Sequence, residues 1–161
     1  MNDANHNPAA MAAHDHAACI RHVLGEAEAA GINFTPVRLR ALEILLESHA
    51  ALGAYELLKR LEAEGFGGQP PVAYRALDFL VAHGFAHRIE RLNAFVACMR
   101  PGEGHDPAFM ICRRCRAVAE TEADPARDAL GRDARAAGFE IERTMVEIEG
   151  LCPKCRAGAP S

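Results

Sequence analysis

Several features are absent from this sequence, and each absence excludes a class of protein. The 161 residues include no Trp, seven Phe and two Tyr, so a buried core has to rest mainly on Leu, Ala, Val and Ile. No apolar run approaches the roughly 20 residues of a membrane span, and the first residues lack the basic and apolar regions of a signal peptide. We therefore expect a cytoplasmic protein of one or two small domains, without a membrane partner.

An excess of positive charge is also absent. The net charge is −4 at pH 7, and residues 1–95 carry eight Lys and Arg against eleven Asp and Glu. Proteins that bind nucleic acid nonspecifically usually carry a surplus of positive charge. Any interaction with DNA would therefore depend on a local patch rather than on the field of the whole domain.

Glycine and proline divide the first hundred residues into helices followed by a hairpin. Residues 1–16 are polar and without period, and we predict a disordered tail there. Helices are predicted over 19–30, over 54–64 and over 72–83, and one more helix is predicted to start at the Thr35-Pro36 signal. Strands are predicted over 85–90 and 95–99. This order is typical of a winged helix, which we assign to 17–99, with 100–106 as a hinge loop.

The remaining residues, 107–161, combine strands with one helix. Strands are predicted over 108–111, 117–121 and 139–149, and a helix over 124–137, between the Asp124-Pro125 start and Gly138. The predicted fold class is α+β, with an N-terminal winged helix followed by a small α/β domain.

Four cysteines of the second domain form two C-x-x-C pairs. Cys112 and Cys115 are separated from Cys152 and Cys155 by 36 residues. Two thiolates at C-x-x-C spacing can bind one ion from a tight turn, and two such turns complete a tetrahedral sulfur shell. In a cytoplasmic protein these pairs more often hold metal than form disulfides. The pattern predicts a structural zinc site, and a redox-active pair or unrelated free thiols are the alternatives.

A second candidate metal site combines different ligand types. If the hairpin turns on Leu92-Asn93, His87 lies directly opposite Cys98, at a spacing that suits two ligands of one ion. His105, in a Gly-rich loop, and Glu120 would complete a mixed set that favours zinc over harder ions. The alternative is a buried thiol, a surface His, a loop His and a solvated carboxylate.

Side chains of the predicted winged helix also indicate DNA binding. Tyr74 and Arg75 lie off the apolar stripe of the fourth helix, and Tyr55 has a similar position at the start of the third. Arginine can bind guanine through two hydrogen bonds, and tyrosine can reach phosphate or a thymine methyl group. Arg38 and Arg40 are candidate phosphate contacts. An ordinary solvated helix face is the alternative.

These motifs together resemble the ferric-uptake-regulator family. The segment Pro71-Val-Ala-Tyr-Arg-Ala-Leu-Asp-Phe-Leu is similar to the recognition-helix signature of that family, and Thr35-Pro-Val-Arg and Gly53-Ala-Tyr-Glu-Leu-Leu also match. Gly84-Phe-Ala-His-Arg-Ile-Glu, Phe95-Val-Ala-Cys, His105 and Phe109-Met-Ile-Cys-Arg-Arg-Cys resemble the zinc-uptake-regulator branch in particular. The resemblance extends from about residue 19 to residue 155.

The resemblance implies a function and a set of site residues. It implies a homodimeric, non-enzymatic repressor of zinc-uptake genes, with no small-molecule substrate, that reads an A/T-rich palindrome in double-stranded DNA with zinc as corepressor, two ions per subunit. The second domain would then be the dimerisation domain. The implied structural zinc ligands are Cys112, Cys115, Cys152 and Cys155. The implied regulatory zinc ligands are His87, Cys98, His105 and Glu120. The implied DNA contacts are Tyr55, Tyr74 and Arg75.

The sequence also departs from the family pattern. Iron- and peroxide-sensing relatives usually carry His-His-Asp-His before the first cysteine pair, where this chain has Gly104-His-Asp-Pro, so the iron site is largely missing. Val72 and Ala73 offer no hydroxyl for a phosphate contact. The N-terminal His14, His16, Cys19 and His22 are either an extra metal site or part of a flexible tail beside a helix.

Three other functions compete with this interpretation. A zinc hydrolase needs an open three-ligand site beside a base in a cleft, and the sequence has no H-E-x-x-H motif. A redox switch would use the C-x-x-C pairs as reversible disulfides. A sister regulator that senses iron, manganese or peroxide is the nearest alternative, which a metal titration of DNA binding would distinguish.

Overall fold

The computed structural model describes residues 15–48, 50–104 and 107–158. Contacts within the chain divide it into two compact units, with the boundary between Glu103 and Gly104. This boundary falls inside the loop predicted as a hinge. Within the described ranges, no helix is long and apolar enough to cross a membrane.

Four helices make up most of the first unit: α1 (His16–Ala29), α2 (Pro36–Glu47), α3 (Ala54–Ala63) and α4 (Pro70–Ala82). Thr35 and Pro36 occupy the N-cap and first positions of α2, as their order in the sequence predicts. At α3 the Glu56 carboxylate accepts a hydrogen bond of 2.8 Å from the backbone N–H of Gly53, which satisfies a donor at the helix start.

Two of these helices begin earlier than predicted. The α1 helix starts at His16 because the Asp15 side chain accepts a hydrogen bond from the Ala18 N–H and caps it. Residues 15 and 16 are therefore not part of a disordered tail, and residues 1–14 lie outside the described ranges. The α4 helix starts at Pro70, since proline fits the first turn, where its missing N–H has no partner to lose.

The core of the first unit is built from leucine and alanine on the facing sides of the helices. The largest fully buried side chains come from α2, α3 and α4 and from the end of the hairpin's first strand: Leu42, Ile44, Leu57, Leu61, Leu77, Leu80 and Ile89. Phe85 and Phe95 of the hairpin segment pack against the same cluster. This packing presents the opposite, polar faces of α3 and α4 to solvent.

The hairpin consists of β1 (Ala86–Ile89) and β2 (Ala94–Ala97). Leu52, just before α3, exchanges two backbone hydrogen bonds with Phe95, of 2.9 and 2.8 Å. This bridge ties the hairpin to the connection between α2 and α3, so the wing is held against the helices by its second strand.

The register of the hairpin differs from the prediction. His87 pairs with Val96, not with Cys98, because the turn has four residues, Glu90–Asn93, instead of two. The Asn93 N–H donates to the Glu90 carbonyl at 3.1 Å, and Asn93 adopts a φ of 46°, which asparagine tolerates better than most residues. The pairing is thus shifted by two residues, and an even shift leaves each side chain on its predicted face.

The second unit contains β3 (Pro107–Cys112), β4 (Val118–Glu122), α5 (Asp124–Ala136), β5 (Val146–Gly150) and α6 (Pro153–Arg156). Its sheet has the order β4-β3-β5, with β3 antiparallel to β4 and parallel to β5. The last strand starts at Val146, not at Phe139 as predicted. The Phe139 N–H is used instead to cap α5 at the Ala134 carbonyl, after a left-handed Gly138.

The interior of the second unit is small. Its buried side chains among the described residues are Ala108, Phe109, Ile111, Cys112, Val118, Ala123 and Cys155. Helix α5 contributes no buried residue. A unit of this size with so few buried apolar groups needs another source of stability, such as a metal cross-link.

Candidate metal centres and nucleic-acid interface

The four cysteines converge at one edge of the second sheet. Strands β3 and β5 run parallel, and Cys112 pairs with Gly150, so both strands end at the same place. The Arg113 N–H donates to the Gly150 carbonyl at 2.9 Å and extends this pairing past Cys112. The turn after β3 then supplies Cys115, and the short segment after β5 supplies Cys152 and Cys155.

The geometry of this centre fits one tetrahedral ion. The four sulfurs all lie within 4.8 Å of one another, and the sulfurs of Cys115 and Cys152 are 3.7 Å apart. Zinc–sulfur bonds of about 2.3 Å in a tetrahedron place the sulfurs about 3.8 Å apart, whereas a disulfide would need about 2.05 Å. All-sulfur ligation selects zinc over hard cations. The set can therefore hold a zinc ion with no position left for a substrate.

The ionisation of these thiols depends on the same convergence. Burial by itself would raise the pKa of Cys112, but hydrogen bonds from the backbone N–H groups of Cys115, Cys152 and Arg114 lower it to about 6. Burial, followed by the neighbouring sulfurs, raises the pKa of Cys155 to about 12. One sulfur is thus ready to bind a cation at neutral pH, and the remaining protons would leave as the metal enters.

On the hairpin, His87 and Cys98 form a second candidate pair of ligands. Cys98 is buried, and its backbone N–H donates to the Phe85 carbonyl at 3.0 Å, which fixes its position one residue beyond β2. A ring nitrogen of His87 and the sulfur of Cys98 lie within 4.8 Å of each other. The predicted direct opposition is wrong, yet the two side chains meet as diagonal neighbours on one face of the hairpin.

The other predicted ligands belong to the second unit or fall outside the described ranges. Glu120 lies on β4, half-buried, opposite Phe109 of β3. His105 is outside the described ranges, as is His14 of the N-terminal cluster. Among the described residues, no group of three metal ligands forms around Cys19 and His22. Cys19 packs against the core, and the His22 ring nitrogen lies 3.0 Å from the Pro101 carbonyl.

The candidate nucleic-acid interface lies on the exposed faces of α3 and α4. Tyr55 and Tyr74 are 67% and 53% exposed, so both rings and both hydroxyl groups can contact a partner from solvent. Arg75, next to Tyr74, is exposed and forms no ion pair with any described residue. Tyr55 lies in the first turn of α3, whereas Tyr74 and Arg75 lie in the second turn of α4.

The two arginines of α2 have different surroundings. The Arg38 guanidinium lies over the Phe79 ring, 3.9 Å from its centroid, and donates to the Asn33 carbonyl at 3.1 Å. Arg40 instead binds three carboxylates, those of Glu43, Glu47 and Glu64, at 3.0, 2.8 and 2.5 Å. Because these carboxylates outnumber its single charge, Arg40 is not available as a phosphate contact, contrary to the prediction.

Lys59 is a feature of this surface that sequence reasoning missed. Its ammonium nitrogen lies 4.8 Å from the centroid of the Tyr55 ring, one helical turn away on α3. A cation over a tyrosine face is attracted by the ring and restricts its motion. The i, i+4 spacing of the two residues was a signal that could have identified this contact.

Comparison with known proteins agrees with these features. No protein-family model matches the chain. The zinc uptake regulation protein of Escherichia coli (strain K12) is 37% identical over 125 residues, which are 77% of this chain and 73% of the relative.

Solved structures show the same architecture. A zinc uptake regulator in complex with zinc and DNA has a TM-score of 0.85 and 32% identity, over 90% of this chain and 97% of the other. The holo form of XcZur has a TM-score of 0.78 and 38% identity, over 86% and 96%. The predicted α+β class with an N-terminal winged helix is confirmed. The chain belongs to the zinc uptake regulators, a branch of the ferric-uptake-regulator family.

Proposed function

We propose that this protein is a zinc-responsive repressor that binds operator DNA upstream of zinc-uptake genes, in the cytoplasm and without enzymatic activity. The observation that supports this most is the combination of a four-sulfur centre in one unit with a His–Cys pair on the wing of the other. Such a protein needs one permanent ion for its fold and one exchangeable ion for its response. We infer two zinc ions per subunit.

The structural ion would be held by the four cysteines named above. The second unit buries few apolar side chains, so a cross-link between the ends of β3 and β5 would contribute much of its stability. A closed shell of four thiolates exchanges its ion slowly and offers no open position. This ion would therefore be present whether or not zinc is abundant.

The regulatory ion would be bound by His87, Cys98, His105 and Glu120. A mixed shell of nitrogen, sulfur and oxygen binds zinc less tightly than four thiolates, so its occupancy can follow the free zinc concentration. Two of these ligands are on the wing and two are in the other half of the chain. Binding one ion would restrict how the winged helix moves and favour the arrangement that fits the operator. The ordering cost is then met by metal binding, and DNA affinity rises.

DNA would be read by the exposed side chains of α3 and α4. Arg75 is the proposed base contact, because a guanidinium without a carboxylate partner can form two hydrogen bonds with guanine. Tyr74 and Tyr55 are the proposed phosphate or methyl contacts. Arg38 remains a proposed phosphate contact whose guanidinium is already oriented by the Phe79 ring. An A/T-rich palindromic operator is the proposed target.

A second copy of the chain is the proposed partner of the small sheet. Strand β5 is at the edge of the sheet, with one side of its backbone available for pairing. Ile148 of β5 and Met110 of β3 are paired neighbours that are 52% and 39% exposed. Adjacent exposed apolar side chains at an open edge favour a two-fold interface, in which each copy covers the same residues of the other.

The test is DNA binding by the full-length protein across buffered free zinc, with iron and manganese as controls. Cys98→Ser should remain a dimer and keep one zinc, but lose the zinc dependence of operator binding. Cys19→Ser is the matched control, since Cys19 packs against the core and belongs to no metal-ligand group among the described residues. Unchanged zinc dependence in Cys98→Ser would exclude the regulatory site.

The same titration separates zinc sensing from the sister functions. A thiolate in the regulatory set argues against manganese, which prefers carboxylate and carbonyl oxygens. If iron or manganese supported operator binding at lower free concentrations than zinc does, the protein would be a sensor of that metal instead.

A further inference from the structure

Helix α1 contacts the turn through which the chain leaves the winged helix. A carbonyl can only accept a hydrogen bond, so the His22 ring donates from Nε2 to the Pro101 carbonyl, at 3.0 Å and across 79 residues of sequence. Pro101 is buried. Glu26 follows His22 by four residues and therefore lies on the same side of α1, next to the buried Val23 and Ala27.

Gly102 continues this contact, and its position suits no other residue. Its φ of 83° is in the left-handed region, and a Cβ atom added there would lie 2.5 Å from a carboxylate oxygen of Glu26. A hydrogen bond of 3.4 Å from the Glu103 N–H to the Arg100 carbonyl closes the turn. We call four residues the α1 clamp: His22, Glu26, Pro101 and Gly102.

We propose that the α1 clamp fixes the point at which the chain leaves the winged helix, and that His22 and Gly102 are positioning residues for the zinc response. By shortening the chain between the two units, a closed clamp would lower the zinc concentration at which the regulatory ion joins them. The boundary between the units falls directly after the clamp, between Glu103 and Gly104. The proposal rests on the regulatory zinc of the proposed function.

The size of the effect follows from the length of chain between the two fixed points. Pro107, the first residue of β3, follows Gly102 by five residues, but follows Cys98 by nine. The Cys98 N–H is bonded to the Phe85 carbonyl, so an open clamp releases the chain no further back than Cys98. Because loop-closure entropy grows as about three halves of the logarithm of chain length, the zinc requirement should rise by about two- to threefold.

Two substitutions open the clamp by different physical routes. Gly102→Ala places a side chain in the left-handed region, which disfavours the closed turn by about tenfold. His22→Ala removes one hydrogen bond, which should favour the open turn by about fivefold. His22→Gln retains an N–H donor at nearly the position of Nε2 and is the rescue variant.

Gly65 offers a matched control for backbone strain. Its φ is 85°, and an added Cβ would have no atom within 4 Å, so Gly65→Ala carries the same strain at the end of α3. His16→Ala replaces another histidine of α1. The double variant His16→Ala with Gly65→Ala is therefore the control for His22→Ala with Gly102→Ala.

The experiment applies two measurements to the full chain. The first is the rate at which a glutamate-specific protease cleaves after Glu103, with the regulatory zinc removed by a chelator and the fragments identified by mass. The protease has to bind residues on both sides of the cleaved bond, so its rate follows the population of the open clamp. The second is the free zinc concentration at half-maximal operator binding, and urea unfolding compares the stabilities of the variants.

We expect cleavage after Glu103 to be about tenfold faster in Gly102→Ala, about fivefold faster in His22→Ala and near the wild-type rate in His22→Gln. The double clamp variant should need about two to three times more zinc. The control double variant should lose stability in urea and leave both measurements unchanged.

Equal cleavage of Gly102→Ala and the wild type would overturn the clamp. Faster cleavage with an unchanged zinc requirement in the double clamp variant would overturn its part in the zinc response. An equal shift in the control double variant would do the same, because general loss of stability would then be the cause. Wild-type operator binding that ignored zinc would refute the proposed function, whereas the cleavage rates decide on the clamp by themselves.

Discussion

Two arginines of the winged helix provide a sharp test of how this surface works, because the structure gives them different surroundings. Arg75 on α4 is exposed and has no ion-pair partner among the described residues. Arg38 on α2 stacks over Phe79 and donates to the Asn33 carbonyl. Replacing Arg75 by Ala should therefore affect only DNA binding, whereas replacing Arg38 should affect the fold as well.

The magnitudes follow from the contacts that each change removes. Arg75→Ala should cost about 1–3 kcal/mol of operator binding, or roughly 5- to 150-fold, if its guanidinium contacts a guanine. Its free energy of unfolding should stay within about 0.5 kcal/mol of the wild type. Arg38→Ala loses a hydrogen bond and a cation–π contact, each worth about 1 kcal/mol, so unfolding should become easier by about 1–2 kcal/mol.

The assays are urea unfolding and fluorescence anisotropy with a labelled operator at saturating zinc. Arg75→Lys is the matched control for charge, since it retains the positive charge and loses the planar fork that pairs with guanine. It should bind almost as weakly as Arg75→Ala at the specific site and retain nonspecific affinity. Operator binding by Arg75→Ala at the wild-type affinity, with zinc content intact, would refute the assignment of α4 as the reading helix.

The other predictions concern pH, assembly and the core. Hydrogen bonding from Arg40 lowers the pKa of Glu64, so this pair stabilises the fold at neutral pH and its contribution is lost as the pH falls through the lowered pKa. Glu64→Gln should lower the Tm at pH 7, with the difference vanishing once the pH is below the lowered pKa of Glu64; a difference that stays constant as the pH falls would contradict this. Ile148→Asp should convert the dimer to monomer in sedimentation, whereas Val81→Asp should not, and a dimeric Ile148→Asp would exclude β5 as the interface. Leu77→Ala, at a fully buried site, should cost about 3–5 kcal/mol in urea unfolding, against under about 1.5 kcal/mol for Val81→Ala.

Much of the fold was predictable because local rules and tertiary packing agree. Thr35-Pro36 marks the start of α2, and Gly84 follows the end of α4, as their conformational preferences require. The winged helix and the strands of the second unit followed from the change in period along the chain, whereas the parallel pairing of β3 with β5 did not. These elements depend on interactions over a few residues, which a sequence displays directly.

The predictions failed where a hydrogen bond or an ion pair of the folded chain overrode what the local sequence pattern indicates. Residues 139–145 alternate like a strand, but β3 offers partners only from Val146 onward, and the Phe139 N–H is used to cap α5. Arg40 was predicted as a candidate phosphate contact. Its three carboxylate partners include Glu64, which is 24 residues away, and that partner could not be inferred from spacing.

The hairpin explains why His87 and Cys98 lie close together although the predicted register was wrong. A two-residue turn and a four-residue turn differ by two in register, and side chains alternate with a period of two, so His87 and Cys98 share a face in both. A three-residue turn would have placed them on opposite faces and removed the pair. The proximity of these ligands therefore depends on the parity of the turn, which Asn93 closes with its left-handed backbone.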